Sequence, residues 1–169
     1  MRMIGIGVLF LVLGSYVLAA ERTITVLADK LPALELAVPS EADVSTVQDK
    51  TIIHTTNMYL YVWPVAGARN LNEAHARLRE VIKGDVVKFS VSATNEITVA
   101  SAPARHLIGT GFEADDGDDA TADVVIFAVG KHLFIACVHG EGNDAVRERA
   151  PMLKLLQTAR IPQVQPAGK

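Results

Sequence analysis

"ADVVIFAVGKHLFIACVHG", residues 122–140, decides the fold. Two apolar runs, 122–129 and 132–139, are separated only by Gly130 and Lys131. Glycine at the first of two loop positions is the signal for a type II′ hairpin. Along the second run Leu133, Ile135 and Cys137 share one strand face by the period-two rule, and His139 continues that face. A hairpin here makes the sheet antiparallel, and the neighbouring elements are read outward from it.

Just upstream, "FEADDGDDATADVV" (112–125) holds five aspartates and a glutamate between apolar runs. Asp116 and Gly117 suit a hairpin tip whose remaining charges stay in water. The competing reading is a calcium loop with Asp116, Asp118 and Asp119 as ligands, to which Glu113 and Asp123 could add oxygens. The EF-hand spacing D-x-D-x-D-G is absent.

Further upstream, "VVKFSVSA" alternates, with Val87, Phe89 and Val91 on one face and Lys88, Ser90 and Ser92 on the other. "EITVAS" follows, and "ARHLIGTGF" is interrupted by Gly109 and Gly111, the mark of a bulge or a close backbone approach. "NLNEAHARLREVIKGD" changes to helical period. Asn70 caps it with Glu73 in the capping-box position, Leu71, Ala74, Leu78, Val81 and Ile82 form the stripe, and Gly84 is placed to end it left-handed. Before it, "TIIHTTN" and "MYLYVWPV" read as two strands joined around Thr56 and Asn57, "SEADVSTVQDK" as loop, and "ALELAVP" as a strand stopped by Pro39. "NDAVRERAPMLKLLQTAR" closes the chain as a helix capped by Asn143 or Asp144, with a kink or fresh start at Pro151.

The order is therefore β-β-β, α, β-β-β-β, α with hairpin-length links. This predicts an α+β fold with a single, mostly antiparallel sheet and two packed helices. Residues 1–20 have the basic start, apolar run and small-residue end of a cleaved signal peptide; an uncleaved anchor is the alternative reading. Residues 21–33 read as a lead-in, 34–160 as the domain and 161–169 as a disordered tail. Export implies a periplasmic or secreted protein, with no membrane contact beyond the signal.

The 16 basic residues fall to 15 without Arg2, against 19 acidic ones, a net charge of −4 that argues against nucleic acid as a partner. The single cysteine, Cys137, permits no internal disulfide and reads as a buried thiol. A hydrolase using Cys137 and His139 is the weaker alternative. The histidines, His54, His75, His106, His132 and His139, lack zinc spacing; His132 and His139 point to opposite faces, and only a cross-strand site joining His106 to one of them is geometrically open. Tyr59, Tyr61 and Trp63 share one strand face and form either a partner-binding platform or a surface packed beneath a helix. Nucleophile-elbow, P-loop and dinucleotide motifs are absent, so the expectation is a non-enzymatic protein without a cofactor, calcium apart.

The block "NEITVASAPARHLIGTGFEADDGDDATADVVIFAVGKHLFIACVHG" resembles the PsbP-like superfamily. That group includes the lumenal photosystem protein PsbP, the bacterial envelope protein DcrB and a nuclear import factor that binds the GTPase Ran. A strand leading into "APA", two long strands joined at "GK" and a closing amphipathic helix carry the likeness over Leu34 to Arg160. The aromatic "P-x-x-W" of many members is met by Pro39 alone. The resemblance implies a domain that binds other proteins, here an envelope partner, rather than an enzyme.

Overall fold

The computed structural model describes residues 20–163, so the signal-peptide reading and most of the expected tail lie outside them. Nine strands and two helices are present among the described residues. They run β1 (Glu21–Ala28), β2 (Leu31–Pro39), β3 (Asp43–Val47), β4 (Lys50–Thr55), β5 (Met58–Pro64), α1 (Leu71–Ile82), β6 (Val86–Val99), β7 (Ala102–Glu113), β8 (Asp119–Val129), β9 (His132–Gly140) and α2 (Asp144–Leu156). Seven strands form one antiparallel sheet in the order β3-β4-β5-β9-β8-β7-β6, and β1 and β2 pair as a separate hairpin. The α+β architecture is the expected one. It has two strands more than the sequence order predicts, at the lead-in and in the loop before β4.

Both additions have a physical reason. In β1, Ile24, Val26 and Ala28 turn inward at period two while Thr23, Thr25 and Leu27 stay outside. β3 is a short sheet edge with Val44 alone partly covered, so it carries no alternation to read.

The hairpin at residues 122–140 forms as expected. Val129 pairs with His132, Gly130 takes φ +58 and Lys131 stays at negative φ, the type II′ arrangement. Phe127 and Phe134 are cross-strand partners stacked at 5.6 Å, a contact adding about 0.5–1.5 kcal/mol beyond burial. α1 begins at the Asn70 cap, whose side chain accepts from the Glu73 amide at 2.9 Å. Gly84 does not end the helix in the left-handed region: the cap is Lys83 in right-handed geometry. Pro151 neither breaks nor restarts α2, which continues through it.

The helices lie on opposite faces of the sheet. α1 covers Leu107, Val124, Ile126, Ile135 and Cys137. α2 and the β1–β2 hairpin cover Val62, Val125, Phe127, Phe134 and Ala136.

The strand 86–99 is one continuous element, but its alternation is broken. Register shifts lie between Val87 and Ser90 and between Val91 and Ala93, with Lys88 at φ +53. The first bulge turns Val86 and Phe89 into the same core. Gly109 and Gly111 lie opposite it, as their spacing predicts.

The β6–β7 turn places two side-chain-bearing residues, Ala100 and Ser101, at φ +50 and +66. Such a turn prefers Asn-Gly, because the left-handed region costs other residues roughly 1 kcal/mol each. Ala100→Asn with Ser101→Gly is expected to stabilise the fold by about 1 kcal/mol and raise the calorimetric midpoint by about 2–4 °C. An unchanged midpoint would mean the turn is relaxed by other means.

Candidate functional site

Among the described residues, four places gather polar chemistry: the acidic turn, the aromatic face of β5, a buried charged triad, and a groove beside α2.

The acidic segment is a hairpin tip between β7 and β8, with Gly117 at φ +84. Asp116 and Asp118 approach Glu141, with one carboxylate oxygen from each lying within 4.8 Å of the others. Asp119 does not join them: it starts β8 opposite Phe112. The charge of Asp118, and then its hydrogen bond, raises the Glu141 pKa. The two acids considered as extra ligands are engaged elsewhere. Glu113 accepts from His139 Nδ1 at 3.2 Å, and Asp123 is buried in the sheet.

On the α1 face, His54, Tyr59, Tyr61 and Trp63 form a ladder of rings, with centroids 4.3, 5.9 and 5.9 Å apart in that order. His139 stacks on Tyr61 at 4.9 Å, and the Lys50 ammonium sits over Tyr61 at 4.9 Å and Trp63 at 5.8 Å while pairing with Asp85 at 2.6 Å. Burial, followed by the charge of Asp85, pushes the Tyr61 hydroxyl pKa up. Because the ring faces are occupied by one another, Tyr61 and Trp63 do not offer a platform. Tyr59 is the open member, at 43% exposure against 8% for Trp63. Trp63 fluorescence should therefore show the blue-shifted emission of a buried indole and resist iodide quenching until the protein unfolds. A red-shifted, readily quenched native spectrum would contradict this packing.

Cys137 is fully buried, and its thiol pKa is pushed well up by that burial and by Asp85, Asp123 and Glu113. A thiolate nucleophile needs the opposite shift. The sulfur contacts the Val138 carbonyl, and His139 turns to Glu113, so the two do not form a nucleophile–base pair. The second nitrogen of His139, Nε2, is buried without a partner among the described residues.

His106 joins neither His132 nor His139. It lies on the opposite face from His139, where its Nε2–H donates to Asp123 at 2.5 Å. Arg149, from α2, completes the triad with a two-pronged contact to both Asp123 oxygens at 2.7 and 3.0 Å. Burial works against the Asp123 charge, but the His106 and Arg149 hydrogen bonds outweigh it and hold the carboxyl pKa below its ordinary value of 3.8. The triad ties α2 to the sheet and leaves little of its chemistry accessible.

The groove lies where α2 passes the β4–β5 turn. Two concavities of about 440 and 560 Å³ share Thr55, Thr56, Asn57, Met58 and Pro151. Buried Met58 and Leu155 lie beneath, Glu21 and Glu41 border one end, and Tyr59 and Arg147 border the other. β5 parts from β9 here, since their pairing starts only at Tyr61 and Cys137. The freed Tyr59 amide donates instead to Glu148 at 3.1 Å. The strand reading of Tyr59 points toward this site, but nothing local in the sequence brings it to Pro151, which lies more than ninety positions away.

No protein-family description and no curated protein matches this sequence. Among solved structures it resembles the cyanobacterial PsbP protein CyanoP from Synechocystis sp. PCC 6803, with 9% identity and a TM-score of 0.57 over 88% of this chain and 96% of that one. Weaker likenesses are to LpqN, involved in cell envelope biogenesis of Mycobacterium tuberculosis (12%, TM-score 0.46, 85% and 91%), and to a Pseudomonas aeruginosa protein of unknown function (12%, 0.47, 86% and 99%). The fold is PsbP-like, as the sequence pattern suggests.

Proposed function

We propose that this PsbP-like domain is an exported, non-enzymatic accessory protein of the cell envelope that docks a partner protein in the groove between α2 and the β4–β5 turn. The observation that carries the reading is the groove itself: two joined concavities over an apolar floor, with exposed Tyr59 at one end. A groove of this kind, apolar at its floor and polar at its rim, suits a segment of a partner protein laid along it. The signal-like sequence at 1–20 supports export. The inert environment of Cys137 favours binding over catalysis.

A photo-crosslinking residue in place of exposed Asn57 tests the reading in the producing cell. A discrete adduct that disappears when Thr56 is replaced by Trp is expected. The same adducts from a crosslinker on the far face, at Arg79, would remove the groove as the docking site.

Calcium at the acidic turn is a second reading, favoured by the approach of Asp116, Asp118 and Glu141. Calorimetry with millimolar calcium decides it: heat lost in Asp118→Asn supports it, and no heat ends it.

A further inference from the structure

We infer that the occupant of the groove is an extended, basic segment of the partner, aliphatic or proline-bearing at its centre and flanked by lysine or arginine. This rests on the groove being the docking site and adds the chemistry of what enters it.

The charges around the groove are unequal. At one end Glu21 and Glu41 face a single base, Lys154, and none of the three has an ion-pair partner among the described residues. At the other end Arg147 pairs with Asp144 of its own helix, and Glu148 brings a further carboxylate. The rim is thus acidic in surplus, which attracts cations and disfavours acidic segments.

The centre accepts backbone and aliphatic groups. Pro151, at the wall, has no N–H, so the usual helical bond to the Arg147 carbonyl one turn earlier is not made there. The Thr56 hydroxyl and the Asn57 carboxamide are exposed and make no side-chain hydrogen bond to other described residues. Met58 and Leu155 provide the apolar floor. Glu148 already bonds one strand amide, that of Tyr59, with an acceptor from outside the sheet. An extended peptide presents alternating donors and acceptors that suit such a wall.

The probe is a fluorescein-labelled Lys-Leu-Pro-Leu-Lys peptide, with its Glu-Leu-Pro-Leu-Glu counterpart, read by fluorescence anisotropy on the protein at low salt. The basic peptide is expected to bind about tenfold or more tightly than the acidic one. Glu41→Lys should weaken it and Lys154→Glu should tighten it, and both sites are exposed, so circular dichroism should show unchanged folding. Added salt should weaken binding. Absence of binding by the basic peptide at millimolar protein, equal binding of both peptides, or reversals that leave affinity unmoved would overturn the inference. The groove reading survives those results if the Asn57 crosslink persists, and falls with that crosslink alone.

Discussion

Asp123→Ala should cost about 3–5 kcal/mol, the penalty for removing one partner of a buried ion pair. For a domain with a total folding free energy of about 10 kcal/mol, this removes roughly a third to a half of the stability and lowers the midpoint accordingly. Asp123 is 1% exposed and accepts from His106 Nε2 and from two nitrogens of Arg149. The alanine leaves the imidazole nitrogen buried without an acceptor and takes from the guanidinium, itself partly exposed, its one ion-pair partner among the described residues. A replacement of the whole triad, His106→Leu with Asp123→Val and Arg149→Met, should recover most of the loss, because no charge is then buried alone. Urea denaturation of both variants reads the difference. A single variant within about 1 kcal/mol of wild type would show that the triad is not held in the folded state.

The same group sets part of the acid response. The Asp123 pKa is lower folded than unfolded, so its contribution is fully present above the ordinary value of 3.8 and fades as pH falls through the lower folded value. Stability between pH 5 and pH 2 should therefore drop more steeply in wild type than in the triple replacement. Parallel profiles would contradict the lowered pKa.

The triad shows where sequence reading ends. The hairpin at 122–140 was legible because its signals are local: a two-residue turn with glycine first, and strand-like runs on both sides. The Asn70 cap and the glycine pair on β7 were legible for the same reason. Asp123, by contrast, reads as the last acid of a wet turn. Its signal is its place inside "ADVVIFAV", where a carboxylate needs a partner, yet the partners lie 17 and 26 positions away on another strand and a helix. Pro151 misled in the opposite direction. Its missing amide costs one hydrogen bond, and packing of Met152, Leu155 and Leu156 keeps α2 continuous across it. The groove was invisible because it exists only once the β4–β5 turn meets the helix. β1 was legible in principle, since "TITVLA" alternates, whereas β3 carries no pattern that distinguishes an edge strand from a loop.

Gly109→Ala is expected to destabilise by about 3 kcal/mol, the top of the range for inserting one methyl into a full core. Gly109 has no unusual φ, so the cost is steric rather than torsional. A Cβ there overlaps the Ser90 carbonyl oxygen and comes within 2.6 and 2.8 Å of two Phe89 ring atoms. Neither neighbour can yield cheaply. Ser90 belongs to the backbone beside the β6 bulge, and Phe89 is 2% exposed in the core under α1. Two other glycines separate this mechanism from general effects of glycine. Gly84 has nothing within 4 Å of its would-be Cβ and no left-handed φ, so Gly84→Ala should be neutral or stabilise by up to about 1 kcal/mol through the unfolded chain. Gly117 has equal space but φ +84, so Gly117→Ala should cost about 1 kcal/mol from torsion alone. The expected order of chemical-denaturation midpoints is Gly84→Ala highest, Gly117→Ala next and Gly109→Ala lowest. If Gly109→Ala matched Gly117→Ala, the bulge would have room to move, and the register of β6 against β7 would be softer than the pairing indicates. The largest effect follows from geometry that the sequence announces only as two glycines in a strand, because a bulge in one strand needs an open space in the strand that pairs with it.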